Sequence, residues 1–245
     1  MKGNHMVAVC DILGFARLVE TQPLDAVVSS AIGWFRKSLH HSLYKNGFPE
    51  SIPELRDLES HADIGVAWFS DTILLYTLRD DDECVQNMLS TVGWILFETI
   101  VSGRTRIRAG ISYGEAFIDP KNSLFVGTPI IDAYRLEQSQ QWSGAALSED
   151  AEKRIPAEAR SGKFADWWVT PYSVPLKSGH KEMLAVNWTW GIHQPQWKQV
   201  WSESREVPNE QDWKEQPDVC EKFTNTNAFH DSTCTFCRKY RGKVL

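Results

Sequence analysis

The chain has 245 residues, 42% of them hydrophobic, and its 26 Lys and Arg against 32 Asp and Glu give a formal net charge of −6. That length holds one sizeable core plus an appendage, and the apolar share is that of an ordinary globular protein. No apolar run reaches the roughly 20 residues that cross a bilayer, and basic residues scattered through an acidic chain exclude a general nucleic-acid binder while leaving room for a local anion site.

The start, Met1-Lys2-Gly3-Asn4-His5, lacks the apolar segment of a secretion signal, so a cytoplasmic protein with no membrane partner is expected. An apolar strand over about residues 6–12 then runs into Asp11-Ile12-Leu13-Gly14-Phe15. Leu18, Val27, Ile32, Trp34, Phe35, Leu39 and Leu43 recur at near-helical spacing, and Gly47 and Pro49 end that helix. Residues 46–62, charged and carrying two prolines, read as a surface loop.

Two strands, Ile64 to Phe69 and Thr72 to Leu78, are so close that a tight hairpin must carry Asp71 at its tip. A bare carboxylate is costly in apolar surroundings. Asp11 and Asp71, each at the end of an apolar strand, therefore point to a divalent cation, whose usual ligands are carboxylates, water and substrate phosphates. Taken singly, Asp11 also fits a helix cap and Asp71 a turn.

Asp80-Asp81-Asp82 caps the next helix, whose apolar positions from Val85 to Ile100 fit one face. Arg104, Arg106 and Arg108 alternate with Thr105, Ile107 and Ala109, so a strand puts all three on one face: a solvated surface, a subunit interface or a triphosphate site. A helix from about Thr128 to Gln140 follows, with Pro129 in its first turn. The order strand, helix, two strands, helix, strand predicts an α+β fold of ferredoxin-like type, a mainly antiparallel sheet with flanking helices.

The rest is rich in tryptophan. Trp188 and Trp190 alternate in an expected closing strand, and Trp197 and Trp201 sit one helical turn apart. They serve as packing anchors or as a stacking surface for a base. Residues 208–217 read as a linker. Cys10 and Cys84 read as small core residues. Cys220, His230, Cys234 and Cys237 form C-x9-H-x3-C-x2-C, which is either a structural zinc site or a set of unlinked cysteines in a tail.

Five blocks, in order, carry a family resemblance over roughly residues 5–190. Asp11 to Leu18 resembles the first metal-binding segment of class III nucleotide cyclase catalytic domains, and Phe69-Ser70-Asp71 their second metal-binding hairpin. Arg106-Ile107-Arg108-Ala109-Gly110-Ile111-Ser112-Tyr113-Gly114-Glu115 is similar to their central strand, and Gly127 to Glu137 to the helix ending in Ala-x-Arg-Leu-Glu. Ser143 to Glu149 resembles the strand that follows. The resemblance divides the chain into a cyclase domain, residues 1–190, and an extension, residues 191–245.

It implies a homodimer with composite active sites acting on a nucleoside triphosphate. Two Mn2+ or Mg2+ ions are then held by Asp11, Asp71 and the Ile12 carbonyl; Gly14, Phe15 and Arg108 bind the nucleotide; and Arg135 steadies the α-phosphoryl group across the subunit boundary. The family's purine readers are missing: Ala67 stands where adenylate cyclases have Lys and guanylate cyclases Glu, Leu124 where they have Asp or Cys, and Ile131 beside Asp132 where they have Asn. Kept metal ligands with lost purine readers look like the pyrimidine cyclases of bacterial Pycsar anti-phage systems, whose product activates a separate effector protein. Bulky Trp68, Phe69 and Tyr134 either narrow the base pocket or pack the core. The expected reaction is UTP to cyclic UMP and pyrophosphate; the alternatives are a cytidylate cyclase, an adenylate cyclase with altered base contacts, and a non-catalytic binding module.

Overall fold

The computed structural model describes residues 1–44, 50–54, 57–58, 63–102, 105–163, 167–193 and 217–233. Its sheet is built from β1 (Lys2–Ile12), β2 (Ile64–Phe69), β3 (Thr72–Thr77), β4 (Ile107–Asp119), β5 (Leu124–Gly127), β6 (Ala145–Leu147), β7 (Val169–Leu176) and β8 (Gly179–Val186). The strand order is β2-β3-β1-β4-β6-β8-β7, with β5 hairpinned onto the far end of β4. All neighbours are antiparallel except β4 and β6, so the expected α+β sheet is found. Asp11 lies between two neighbours, opposite Thr72 on one side and Arg108 on the other.

Side chains of β1 alternate between two apolar layers, as a period of two requires. Met6, Ala8, Cys10 and Ile12 enter the larger cluster, together with Phe35 and Leu39 of α3 (Gly33–Tyr44) and Val85 to Ile100 of α4 (Asp82–Ser102). Val7 and Val9 enter a smaller cluster with Tyr76, Ala116, Ile118 and Ala133, the last from α5 (Thr128–Ser139). Asp81 caps α4 by accepting a hydrogen bond from the Cys84 amide at 2.8 Å, as its sequence predicts.

The single long helix expected after β1 is instead broken. A seven-residue α1 (Phe15–Thr21) stops before Pro23, which precedes α2 (Leu24–Val27), and a π turn at Val28–Ile32 leads into α3. Proline has no amide hydrogen to continue the ladder. The closing strand also ends earlier than expected: β8 stops at Val186, and Trp188–His193 is a 3₁₀ turn. Trp188 is nonetheless fully buried, so it is a packing anchor. Trp197, Trp201, Arg104 and most of the expected loop and linker lie outside the described residues.

Helix α7 (Pro217–Thr233), preceded by α6 (Glu149–Arg154) in chain order, packs onto this same core. Its Phe229 is fully buried, with ring centroids 5.0 Å from Trp142 and 4.8 Å from Tyr172, both edge-on. Thr226 Oγ1 accepts from the Ser143 amide at 2.8 Å, and Asn225 Nδ2 donates to the Gln141 carbonyl at 2.8 Å.

α5 lies directly on β4. A Cβ at Gly110 would clash with the Ala133 carbonyl oxygen and the Glu137 amide nitrogen, both backbone atoms that cannot swing aside. Gly110→Ala should therefore lower stability by about 2 kcal/mol or more by prising α5 from the sheet. Urea unfolding of the purified variant measures this, and an unchanged midpoint would contradict the packing described.

Candidate active site

β1 and the β2–β3 hairpin bring the two sequence-predicted acids together. Asp11 is the penultimate residue of β1, and Asp71 occupies the two-residue turn Ser70-Asp71, in which Ser70 has φ 56°. That left-handed conformation is uncommon outside glycine and is what a two-residue hairpin demands. Trp68 supports the turn: its Nε1 donates to the Ser70 carbonyl at 2.7 Å, its ring meets Phe35 edge-on, and Arg36 lies 5.0 Å above it. Trp68 is thus a brace for the hairpin. Phe69 beside it is 84% exposed and Tyr134 is exposed as well, so neither packs the core of the described chain.

Asp11 is half-buried and accepts a hydrogen bond from Thr72 Oγ1 at 3.1 Å. Burial, then the negative charges of Glu137 and Asp71, push its carboxyl up to about 6, against weaker opposition from Thr72 and Arg108. Three carboxylates and one guanidinium thus share the end of the sheet. This crowding fits a divalent cation. Among the described residues no group of three His, Cys, Asp or Glu side chains could hold a metal by itself. Asp11, Asp71 and the Ile12 carbonyl would have to share the coordination with water and phosphate, the pattern usual for Mg2+.

Arg108 differs from expectation. Its Nε donates to Glu137 Oε1 at 2.6 Å and its Nη1 to the Gln140 carbonyl at 2.7 Å, and both Arg108 and Glu137 are buried. Gln138 Nε2 adds a hydrogen bond to Glu137 Oε2 at 2.7 Å. The guanidinium ties α5 to β4, a positioning role beside the phosphate contact expected of it. Breaking such a pair from one side strands a buried charge.

Glu137 was missed as a charge partner although it closes the run Ala133-Tyr134-Arg135-Leu136-Glu137. Residues two apart on a helix point nearly opposite ways. With Glu137 turned into the sheet, Arg135 must point out, and its side chain is 75% exposed, with Asp132 4.0 Å away. Gly14 precedes α1 with φ 75°, and Phe15 packs on the main core, so of the two expected nucleotide contacts only Gly14 is exposed. Ala67 is half-buried on β2, and Leu124 and Ile131 are exposed on β5 and α5.

The four-ligand zinc set is not compatible with the fold. Cys220 and His230 both lie on α7, and ten residues of helix separate them by about 15 Å along the axis. Two ligands of one zinc lie within about 4 Å of each other, given metal–ligand bonds near 2 Å. His230 is instead buried, stacked on Trp188 and hydrogen-bonded to Asp231 at 3.1 Å. Cys234 and Cys237 lie outside the described residues.

If the acids hold a cation, Mn2+ should raise the melting temperature of the purified chain and should fail to do so in Asp11→Asn and Asp71→Asn. Scanning calorimetry with and without EDTA reads this without reference to activity; equal shifts in all three proteins would remove the metal assignment.

No family model matches the sequence, and no curated protein matches it. Solved structures do. The catalytic core of a rhodopsin-guanylyl cyclase with converted specificity, solved in complex with ATPαS, is similar at 14% identity over 76% of this chain and 96% of that one, with a TM-score of 0.52. A monomeric crystal structure of a double mutant of the guanylyl cyclase domain of the RhoGC fusion protein from the aquatic fungus Blastocladiella emersonii is similar at 13% identity, with the same coverage and a TM-score of 0.52. The likeness establishes the fold: the chain is built as a guanylyl cyclase catalytic core is built.

Proposed function

We propose that this chain is a nucleotide cyclase, and that its substrate is a pyrimidine nucleoside triphosphate, UTP before CTP. The observation that carries the reading is the convergence of Asp11 and Asp71 at one end of a cyclase-like sheet, where burial, then the charges of Glu137 and Asp71, raise the Asp11 pKa. Asp11, Asp71 and the Ile12 carbonyl would hold two Mn2+ or Mg2+ ions, which supply neutralisation of the triphosphate and an acidified ribose 3′-hydroxyl. Arg108 and Glu137 hold α5 against β4 and so fix where α5 presents Arg135. Gly14, exposed beside Asp11, leaves its backbone open to phosphate oxygens.

Ala67, Leu124 and Ile131 offer no hydrogen-bonding group to a purine edge. A site built to read a base rejects analogues lacking the partner by large factors, so purine selectivity would need such groups. The cyclic product, cyclic UMP in the favoured case, then serves as a signal read by a separate effector protein in anti-phage defence. With Mn2+ and each of ATP, GTP, CTP and UTP in turn, chromatography of the products should find a cyclic pyrimidine nucleotide. ATP as the preferred substrate by a wide margin would overturn the base assignment, and no cyclic product from any of the four would overturn the reaction.

The active form in this reading is a homodimer. Arg135 faces away from the Glu137 side of its own helix. Around it the described chain exposes Ile131 and Tyr134 on α5, Leu124 and Val126 on β5, and Phe117, which is paired with Val126 on β4. A set of large apolar side chains left in water is what a subunit contact would cover. Asp71→Asn and Arg135→Ala should each abolish product formation, and their mixture should regain activity through heterodimers that contain one intact site. No recovery in mixtures proven to exchange subunits would mean that each site is built from a single chain.

A further inference from the structure

A cleft of about 440 Å³ opens beside the acids and is not lined by them. Its walls are residues 12–14 and α1, the chain just before β4, and the first half of α7. Asp11, Asp71, Arg108, Arg135 and Glu137 are all absent from its lining, although residues 12–14 directly follow Asp11. A cavity of this size holds a small metabolite.

The charge of the cleft runs against that of the chain. The protein is net negative, yet among the described residues this lining carries Arg17, Arg106 and Lys222 and no Asp or Glu. Arg106 is the central group. It is mostly buried, and burial alone draws its pKa down to about 10, with no carboxylate opposing the loss of water. Among the described residues its side chain meets the face of Phe223, 4.8 Å below the guanidinium, and forms no ion pair. A desolvated cation without a counter-charge is costly, and it binds an arriving anion more strongly than a solvated one does. Leu18, Val219 and Phe223 give the wall an apolar, partly aromatic stretch beside the polar Thr21, Gln22, Thr105, Ser143 and Thr226.

We propose that this cleft, which shares the Ile12–Gly14 turn with the acid site but neither acid, is a second ligand site for a small organic phosphate of mononucleotide size. The phosphoryl group lies between Arg17, Arg106 and Lys222, and the flat or apolar body lies against Phe223, Leu18 and Val219. Three cations suit a dianion better than a single carboxylate, and the two guanidinium forks match phosphate geometry. One side of the site is the segment that follows Asp11, and the other is α7, pinned to the core by Phe229 and by Thr226 against Ser143. A bound ligand would therefore brace the acid-bearing end of β1 against the C-terminal helix. It is a means by which a phosphorylated metabolite could set the activity of the site next door.

Calorimetric titration of the full chain in EDTA tests this, with uridine 5′-monophosphate, adenosine 5′-monophosphate and inorganic phosphate as separate probes. EDTA removes divalent metal from the acid pair, and the readout involves no cyclisation, so the outcome is independent of the reaction proposed above. At least one mononucleotide should bind in the millimolar range or tighter. Binding should weaken about tenfold or more in Arg106→Gln and in Lys222→Gln, as the loss of a charged hydrogen-bond partner does, and should persist in Asp11→Asn and Asp71→Asn. Lys222 is on α7 and outside the sheet, so its variant keeps the test valid if Arg106→Gln fails to fold. The proposal is overturned if no mononucleotide binds at millimolar concentration, if binding follows the acids instead of the cations, or if inorganic phosphate binds as tightly as the nucleotides.

Discussion

The ion pair between Arg108 and Glu137 governs the charge at the working end of the sheet. Without it, α5 would place a buried carboxylate against Asp11 with much less to offset it. With it, the guanidinium is engaged by Glu137, and among the described residues Asp11 and Asp71 form no ion pair. One divalent ion balances that pair, and a triphosphate would bring in the charge for a second. The chain thus has a local electrostatic deficit of the size that metal-dependent phosphoryl chemistry uses. The deficit depends on the close fit of α5 over Gly110, because only that approach lets Glu137 reach Arg108.

α5 is consequently a helix with two duties. One face turns Ala133 and Glu137 into the sheet; the other displays Ile131, Tyr134 and Arg135 to the outside. A helix serving only its own core would cover that outer face with small or charged residues. The exposed face continues onto β5 through Leu124 and Val126, so the fold concentrates apolar surface on the side where Arg135 emerges.

The elements that define the acid pair were legible in the sequence because their signals are local. A two-residue gap between apolar strands forces a hairpin, and Asp71 can only be in it; the alternation along β1 fixes which way Asp11 and Val9 face. Asp81 as a cap and Pro129 in a first turn are local signals of the same kind. The misread parts depend on distant partners or on geometry that spacing does not encode. Arg108 reads as a free cation until Glu137, 29 residues later, is folded onto it. Cys220 and His230 read as co-ligands until the intervening chain is seen to be helical, which draws them apart. The alternation of Trp188 and Trp190 imitates a strand, but the 3₁₀ turn is set by burial of Trp188 against Phe229 and His230. Arg106 was grouped with Arg108 by strand parity, and only the docking of α7 sets it against Phe223 in a separate cleft.

The seat of Phe229 also bears on how the gene could be cut. The cyclase-like motifs end near residue 190, and a fragment ending there would keep every strand of the sheet. It would also uncover the rings of Trp142, Tyr172 and Trp188 that Phe229 now meets. Burying a phenylalanine side chain is worth about 1.5–3 kcal/mol, and three large rings opened to water make a sticky surface as well as a weaker fold. α7 thus belongs to the folding unit, which reaches at least to this helix even though the motifs stop some forty residues earlier.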